Sequence, residues 1–137
     1  MPDAALPKVL IVDDDDDIRT GLRYMLEQLE DFEITEAGDG QVALDAMARE
    51  KFDLVLLDVN LPIVNGDVVM ISIGFSDGYH RPGYLVIMSA ASNLAPIQRR
   101  EESVIVDKFL VKPFKYEDIQ EIVTAITTET LLDDLGD

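Results

Sequence analysis

Asp13 and Asp14, Asp58, Ser89 and Lys112 each directly follow a short apolar run, and together they form the residue set that phosphoryl transfer needs. Two carboxylates about 4 Å apart repel by roughly 4 kcal/mol at an effective dielectric of 20, whereas a helix cap returns only about 1 kcal/mol. Crowding Asp13, Asp14 and Asp58 together is therefore hard to justify as stabilisation. A hard divalent cation offsets the repulsion and favours carboxylate and carbonyl oxygens, with octahedral geometry pointing to magnesium. Without the cation, at least one carboxylate is expected to have a raised pKa. Lys112 can pair with a phosphate as a point charge, and Ser89 can donate its hydroxyl to a phosphoryl oxygen.

Each of these residues has an ordinary explanation when taken alone. A lysine before Pro113 fits a surface turn, a serine ending a strand fits a helix cap, and a strand-end aspartate fits the start of a turn. For Asp15, Asp16 and Asp17 the ordinary explanation is preferred, because aspartates before an amphipathic helix cap its free N–H groups and complement its dipole. For the others, convergence shifts the balance toward chemistry.

That convergence depends on the elements. The runs Val9 to Val12, Leu54 to Leu57 and Tyr84 to Met88 are nearly continuous, as in strands buried on both faces of a parallel sheet, and Phe109 to Val111 is a fourth. Phe32 to Ala37 alternates and fits a sheet edge. Helical spacing puts Ile18, Leu22, Met25, Leu26 and Leu29 on one face, Val42, Ala43, Ala46 and Met47 on another, and Ile119, Ile122, Val123 and Ile126 on a third. Val68 to Ile73 and Pro96 to Val104 are two further expected helices, and Gly74 to Gly83 is an expected loop. Strand followed by helix, five times over, predicts an α/β fold: an open parallel sheet with right-handed crossovers and helices on both faces. In such sheets the site lies beyond the carboxyl ends of the strands, where the residues named above would gather.

Composition sets the limits. The chain of 137 residues has room for one domain, with 47% hydrophobic and 28% charged residues. Cysteine is absent, so disulfides, thiolate metal sites and cysteine nucleophiles are excluded. A net charge of −17 disfavours direct binding to nucleic acid or to an anionic membrane, and no apolar run is long enough to span a bilayer. Residues 1–7 lack the basic and apolar segments of a secretory signal, so the cytoplasm is the expected location. The lone His80 reads as a solvated loop residue, and Met25, Met47, Met70 and Met88 read as core.

The segments Val9-Leu-Ile-Val-Asp-Asp14, Leu54-Val-Leu-Leu-Asp58 with Leu61-Pro62 and Gly66, Ile87-Met-Ser89-Ala90, and Phe109-Leu-Val-Lys112-Pro113-Phe114 resemble the receiver domain of two-component response regulators. The match covers residues 8 to 127 in order and spacing. The resemblance implies a five-stranded flavodoxin-like (βα)5 fold, with residues 1–7 as an N-terminal extension and 128–137 as an acidic C-terminal tail. It implies Asp58 as phosphoacceptor and a magnesium ion held by Asp13, Asp14, Asp58 and the main-chain carbonyl of Asn60. Ser89 and Lys112 would hold the phosphoryl group, Phe109 would switch with Ser89, and the Lys112–Pro113 peptide would be cis. The implied partners are a histidine kinase or histidine phosphotransfer protein and a downstream effector protein, the latter on the surface of the fourth helix, fifth strand and fifth helix. Val104-Ile105-Val106 stands where the family usually has a small Ala-Gly-Ala run, which predicts a small switch.

Two other readings compete. In a haloacid-dehalogenase-type phosphohydrolase, Asp13 would be the nucleophile, Asp15 the acid/base, and Ser89 and Lys112 the phosphate-binding residues. Such enzymes need another acidic pair after a further strand, and Asp133 and Asp134 follow none. A receiver that acts only as an unphosphorylated interaction module is disfavoured by the complete acidic, serine and lysine set.

Overall fold

A strand covered by helices on both sides presents no polar face, which is why the continuous apolar runs become the centre of the sheet. The computed structural model describes residues 5–90 and 106–135, with side chains as far as residue 128. Among these residues, five strands form one parallel sheet: β1 (Lys8–Val12), β2 (Glu33–Ala37), β3 (Leu54–Asp58), β4 (Tyr84–Ala90) and β5 (Lys108–Lys112). Their order is β2-β1-β3-β4-β5, so the expected edge strand β2 is indeed at an edge. The helices described are α1 (Asp16–Leu29), α2 (Gly40–Arg49), α3 (Gly66–Phe75) and α4 (Tyr116–Leu135). The expected helix over Pro96–Val104, and with it Val104 and Ile105, lies outside the described residues.

Two apolar layers sandwich the sheet. On one side Leu22 and Leu26 of α1 and Ile119 and Ile122 of α4 meet Val9, Ile11, Leu54 and Leu56. On the other, Ala43 and Met47 of α2 and Val69, Met70 and Ile73 of α3 meet Leu10, Val12, Val55 and Leu57. Each fully buried leucine or isoleucine is worth about 2 kcal/mol relative to exposure, so both layers hold the strand ends in fixed register. The chain leaves β1 toward β2 on one side and returns to β3 on the other. Strand order therefore reverses between β1 and β3, where parallel sheets of this kind open a crevice.

Several expected boundaries shift. β4 continues through Ser89 to Ala90, so Ser89 belongs to the strand. Phe32 precedes β2 and packs against the core from outside it. α3 takes in Gly74 and Phe75, which were expected to loop. Val42, expected to cover the sheet, is 43% exposed, and Leu44 is buried instead. The cap of Asp39 on the Val42 N–H at 2.8 Å starts the helix, and the sheet takes the face formed by Ala43, Leu44, Ala46 and Met47. Met47, Met70 and Met88 are buried and Met25 partly so, as expected for core methionines. The α4 backbone continues past residue 127 to Leu135. Among the described residues no helix is long and apolar enough to cross a membrane.

Candidate functional site

The register of the sheet brings the polar strand ends together. Val12 lies opposite Leu57, so Asp13 emerges beside Asp58, and Asp58 pairs with Met88, the neighbour of Ser89. The carboxylate oxygens of Asp13, Asp14 and Asp58 fall within 4.8 Å of one another. Asp13 and Asp58 are buried, whereas Asp14 faces solvent. Lys112 starts from β5, two strands away from β3, and its long side chain reaches back across the crevice. Its Nζ lies 2.8 Å from Asp13 Oδ2 and 3.3 Å from Asp58 Oδ2. The Lys112–Pro113 peptide is cis, as the resemblance implies.

Local structure fixes the loops that carry these groups. Asp13 Oδ1 accepts from the Asp15 N–H at 3.0 Å, and the Asp13 carbonyl accepts from Arg19 Nη1 at 2.6 Å. Arg19 is held in turn by Glu36 at 3.0 Å and by Asp16, while Arg23 donates to the other Glu36 oxygen at 2.7 Å. Asp58 Oδ1 accepts from the Asn60 N–H at 3.3 Å, and Asn60 itself is exposed. A Cβ on Gly66 would lie 2.3 Å from the Asp58 carbonyl oxygen, so only glycine lets α3 begin so close to the site. Gly40 has the same role at α2, where a Cβ would lie 1.8 Å from the Val64 carbonyl oxygen.

Burial pushes the Asp58 carboxyl above its ordinary range, the Asp13 charge pushes the same way, and Lys112 only partly opposes them. Burial alone would lower the Lys112 ammonium. Its hydrogen bond to Asp13 and the charges of Asp58 and Asp13 outweigh that, leaving it raised. The site is thus one firmly protonated lysine among three carboxylates, an excess of negative charge enclosed by oxygen donors. An all-oxygen donor set of this kind fits a hard divalent cation. The Ser89 hydroxyl, 1% exposed, has no hydrogen-bond partner among the described residues, so a buried donor stands ready for an incoming acceptor. Phe109 is half-buried and packs against the apolar layer of α2 and α3.

Sequence reasoning anticipated every residue of this cluster except its support. Arg19 and Glu36 went unnoticed, although Glu36 stands at an alternating position of the edge strand β2, which passes beside α1. That acidic residue, set opposite basic positions a helical turn apart on α1, was the available signal.

The chain belongs to the response regulator receiver domain family, whose model matches residues 9–124. Sporulation initiation phosphotransferase F of Bacillus subtilis is 34% identical over 119 residues, covering 85% of this chain and 90% of that protein. Transcriptional regulatory protein PrrA of Mycobacterium tuberculosis is 32% identical over 120 residues, 88% of this chain. The chain spans only 49% of the length of PrrA. Among solved structures, the chemotaxis protein CheY4 of Vibrio cholerae has a TM-score of 0.76 at 25% identity, covering 89% of this chain and 99% of that one. The flavodoxin-like fold and the two-component receiver class read from the sequence therefore both stand.

The haloacid-dehalogenase reading finds no support. Its nucleophile, Asp13, has one oxygen engaged by the Asp15 N–H and the other by Lys112. Its acid/base, Asp15, is committed as the α1 cap, accepting from the N–H groups of Asp17 and Ile18. Both residues have positions that hold a loop.

Proposed function

We propose that Asp58 accepts a phosphoryl group from a phosphohistidine of a histidine kinase or histidine phosphotransfer protein. The supporting observation is the convergence of Asp13, Asp14 and Asp58 within 4.8 Å, answered by one lysine. In the transfer, a carboxylate oxygen of Asp58 forms the new P–O bond while the donor's P–N bond breaks and the imidazole leaves. Lys112 neutralises charge on the phosphoryl oxygens, and the Ser89 hydroxyl donates to one of them. Asp13, Asp14, Asp58 and the Asn60 carbonyl are the residues that would hold magnesium, which when bound offsets charge between acceptor and incoming group. Arg19 keeps Asp13 in place through its main-chain carbonyl.

On this reading residues 8–127 are the receiver unit of a signalling phosphoacceptor in the cytoplasm. It catalyses its own phosphorylation from small acyl phosphates and its own dephosphorylation. New charge on Asp58 draws Ser89 toward it and lets Phe109 turn inward, altering the surface of β5 and α4 for an effector protein. The net charge of −17 argues for protein partners over nucleic acid or anionic lipid. Mass spectrometry of the trapped aspartyl species tests the assignment. Label on Asp58 is expected, and label on Asp13 would overturn it.

A further inference from the structure

Among the described residues, α1, α2 and α4 each expose a single large apolar side chain, Tyr24, Val42 and Tyr116, whereas α3 exposes several. It buries Val69, Met70 and Ile73 and also turns Val68, Ile71 and Phe75 outward, 50%, 40% and 66% exposed. Their spacing of three and four residues places them in one stripe along the helix. Two residues before its N-cap, Ile63 is 80% exposed and has φ 68°, held by a turn in which the Val64 N–H donates to the Pro62 carbonyl at 2.7 Å. A β-branched residue is disfavoured in the left-handed region, and this one gains no burial in return. Single exposed apolar residues are ordinary on a protein surface, but an outward stripe on a helix that is apolar all round is not.

We propose that the outer face of α3 docks the apolar side of an amphipathic helix from a partner protein, flanked by lysine or arginine. Charge complementarity selects this occupant. α3 itself contains no basic residue, Asp67 adjoins Val68, Asp77 lies two residues past Phe75 and Asp45 is exposed on the adjacent α2. Arg81 is engaged at the C-terminal end of α3 by the Gly74 carbonyl at 2.6 Å. The whole chain carries −17, so a second copy would meet like charge across the contact. Size points the same way. Ten residues of helix extend about 15 Å, a strip matched by one helix and well short of the roughly 800 Å² per partner that a stable dimer buries. The stripe runs away from the Asp58 cluster, since only the first turn of α3, at Gly66, abuts the site.

The test uses three synthetic helical peptides of about 14 residues. One has leucines on a single face with lysine flanks, one the same leucines with glutamate flanks, and one the same lysines with leucines scattered off the face. Titrated into the 15N-labelled full chain, the first is expected to shift the amides of residues 63–75 and to bind at least about tenfold more tightly than the other two. Ile71→Ser with Phe75→Ser, both at exposed positions, is expected to lose that binding, and Val68→Ser alone to weaken it. Equal binding of the scattered peptide, shifts concentrated on residues 14–17, or no binding of the first peptide would overturn the proposal. So would concentration-dependent self-association in sedimentation that Phe75→Ser abolishes, because the occupant would then be a second copy.

Discussion

Asp58 is buried and Glu36 half-buried, both sit beside basic side chains, and their titrations move in opposite directions. Burial pushes each carboxyl upward. At Glu36, hydrogen bonds from Arg23 and Arg19 outweigh burial and hold it below its ordinary value. At Asp58, the Asp13 charge adds to burial, and the single cation Lys112 is shared with Asp13, so the carboxyl stays raised. Two arginines on one carboxylate make a structural clamp. One lysine among three carboxylates makes a site with unspent negative charge, which a metal ion and a phosphoryl group can use.

The sharpest way to break this comparison is to neutralise each acid in turn. Asp58→Asn is expected to reduce labelling by a small acyl phosphate at least ~100-fold, yet to raise the melting temperature of the metal-free protein by roughly 4 °C, because one of the crowded like charges is gone. Calorimetry alongside labelling checks both halves. A variant labelled at the wild-type rate would remove Asp58 from its role.

Magnesium gives the next largest effect. Binding at a hundred times its dissociation constant stabilises the fold by about 2.7 kcal/mol through mass action. Thermal melts with and without millimolar magnesium measure it, and Asp13→Asn is expected to erase most of the shift. No shift in the wild-type protein would mean that the crowded carboxylates are not a preformed cation site.

Ser89→Ala separates the two roles at a single position. Its hydroxyl has no partner among the described residues, so its removal is expected to leave stability unchanged or slightly improved. Phosphorylation is expected to slow about tenfold, the worth of one hydrogen bond to a charged oxygen. A variant that melts much earlier at an unchanged labelling rate would make Ser89 a packing residue only.

The smallest effect is at the clamp, where pH shows the sign. A carboxyl whose folded pKa is depressed contributes stability above its unfolded pKa, about 4.3 for glutamate, and loses it as pH falls through the folded value. Glu36→Gln is therefore expected to cost about 1 kcal/mol at neutral pH, and its denaturation curve is expected to merge with the wild type at strongly acidic pH. Asp58 behaves inversely. Its folded pKa is raised, so metal-free wild type gains stability as pH falls toward that value, and its gap to Asp58→Asn closes. Parallel pH profiles for the two variants would contradict the contrast between clamp and site.

The sequence by itself determined most of the buried strand residues and which polar residues stand near the strand ends, though not that Val42 faces out or that β4 runs on to Ala90. Continuous apolar runs specify buried parallel strands, and a polar residue after each run specifies the composition of the crevice, because alternating strands and helices with right-handed crossovers point every strand the same way and gather their carboxyl ends on one edge. Asp15 as the cap of α1 was legible for the same reason, since capping is a local matter of side chain and neighbouring N–H groups. Other features exist only between distant segments. The reach of Lys112 across 99 residues to Asp13, the grip of Arg19 on the Asp13 carbonyl, and the balance that moves Asp58 and Glu36 apart depend on distances of a few ångströms. The outward stripe on α3 belongs with them. Periodicity reports that Val68, Ile71 and Phe75 are apolar and share a side of a helix, but only packing decides that the sheet takes the other side. Local pattern fixes what a residue can bury, and the tertiary contacts fix which of those surfaces are left for water or for a partner.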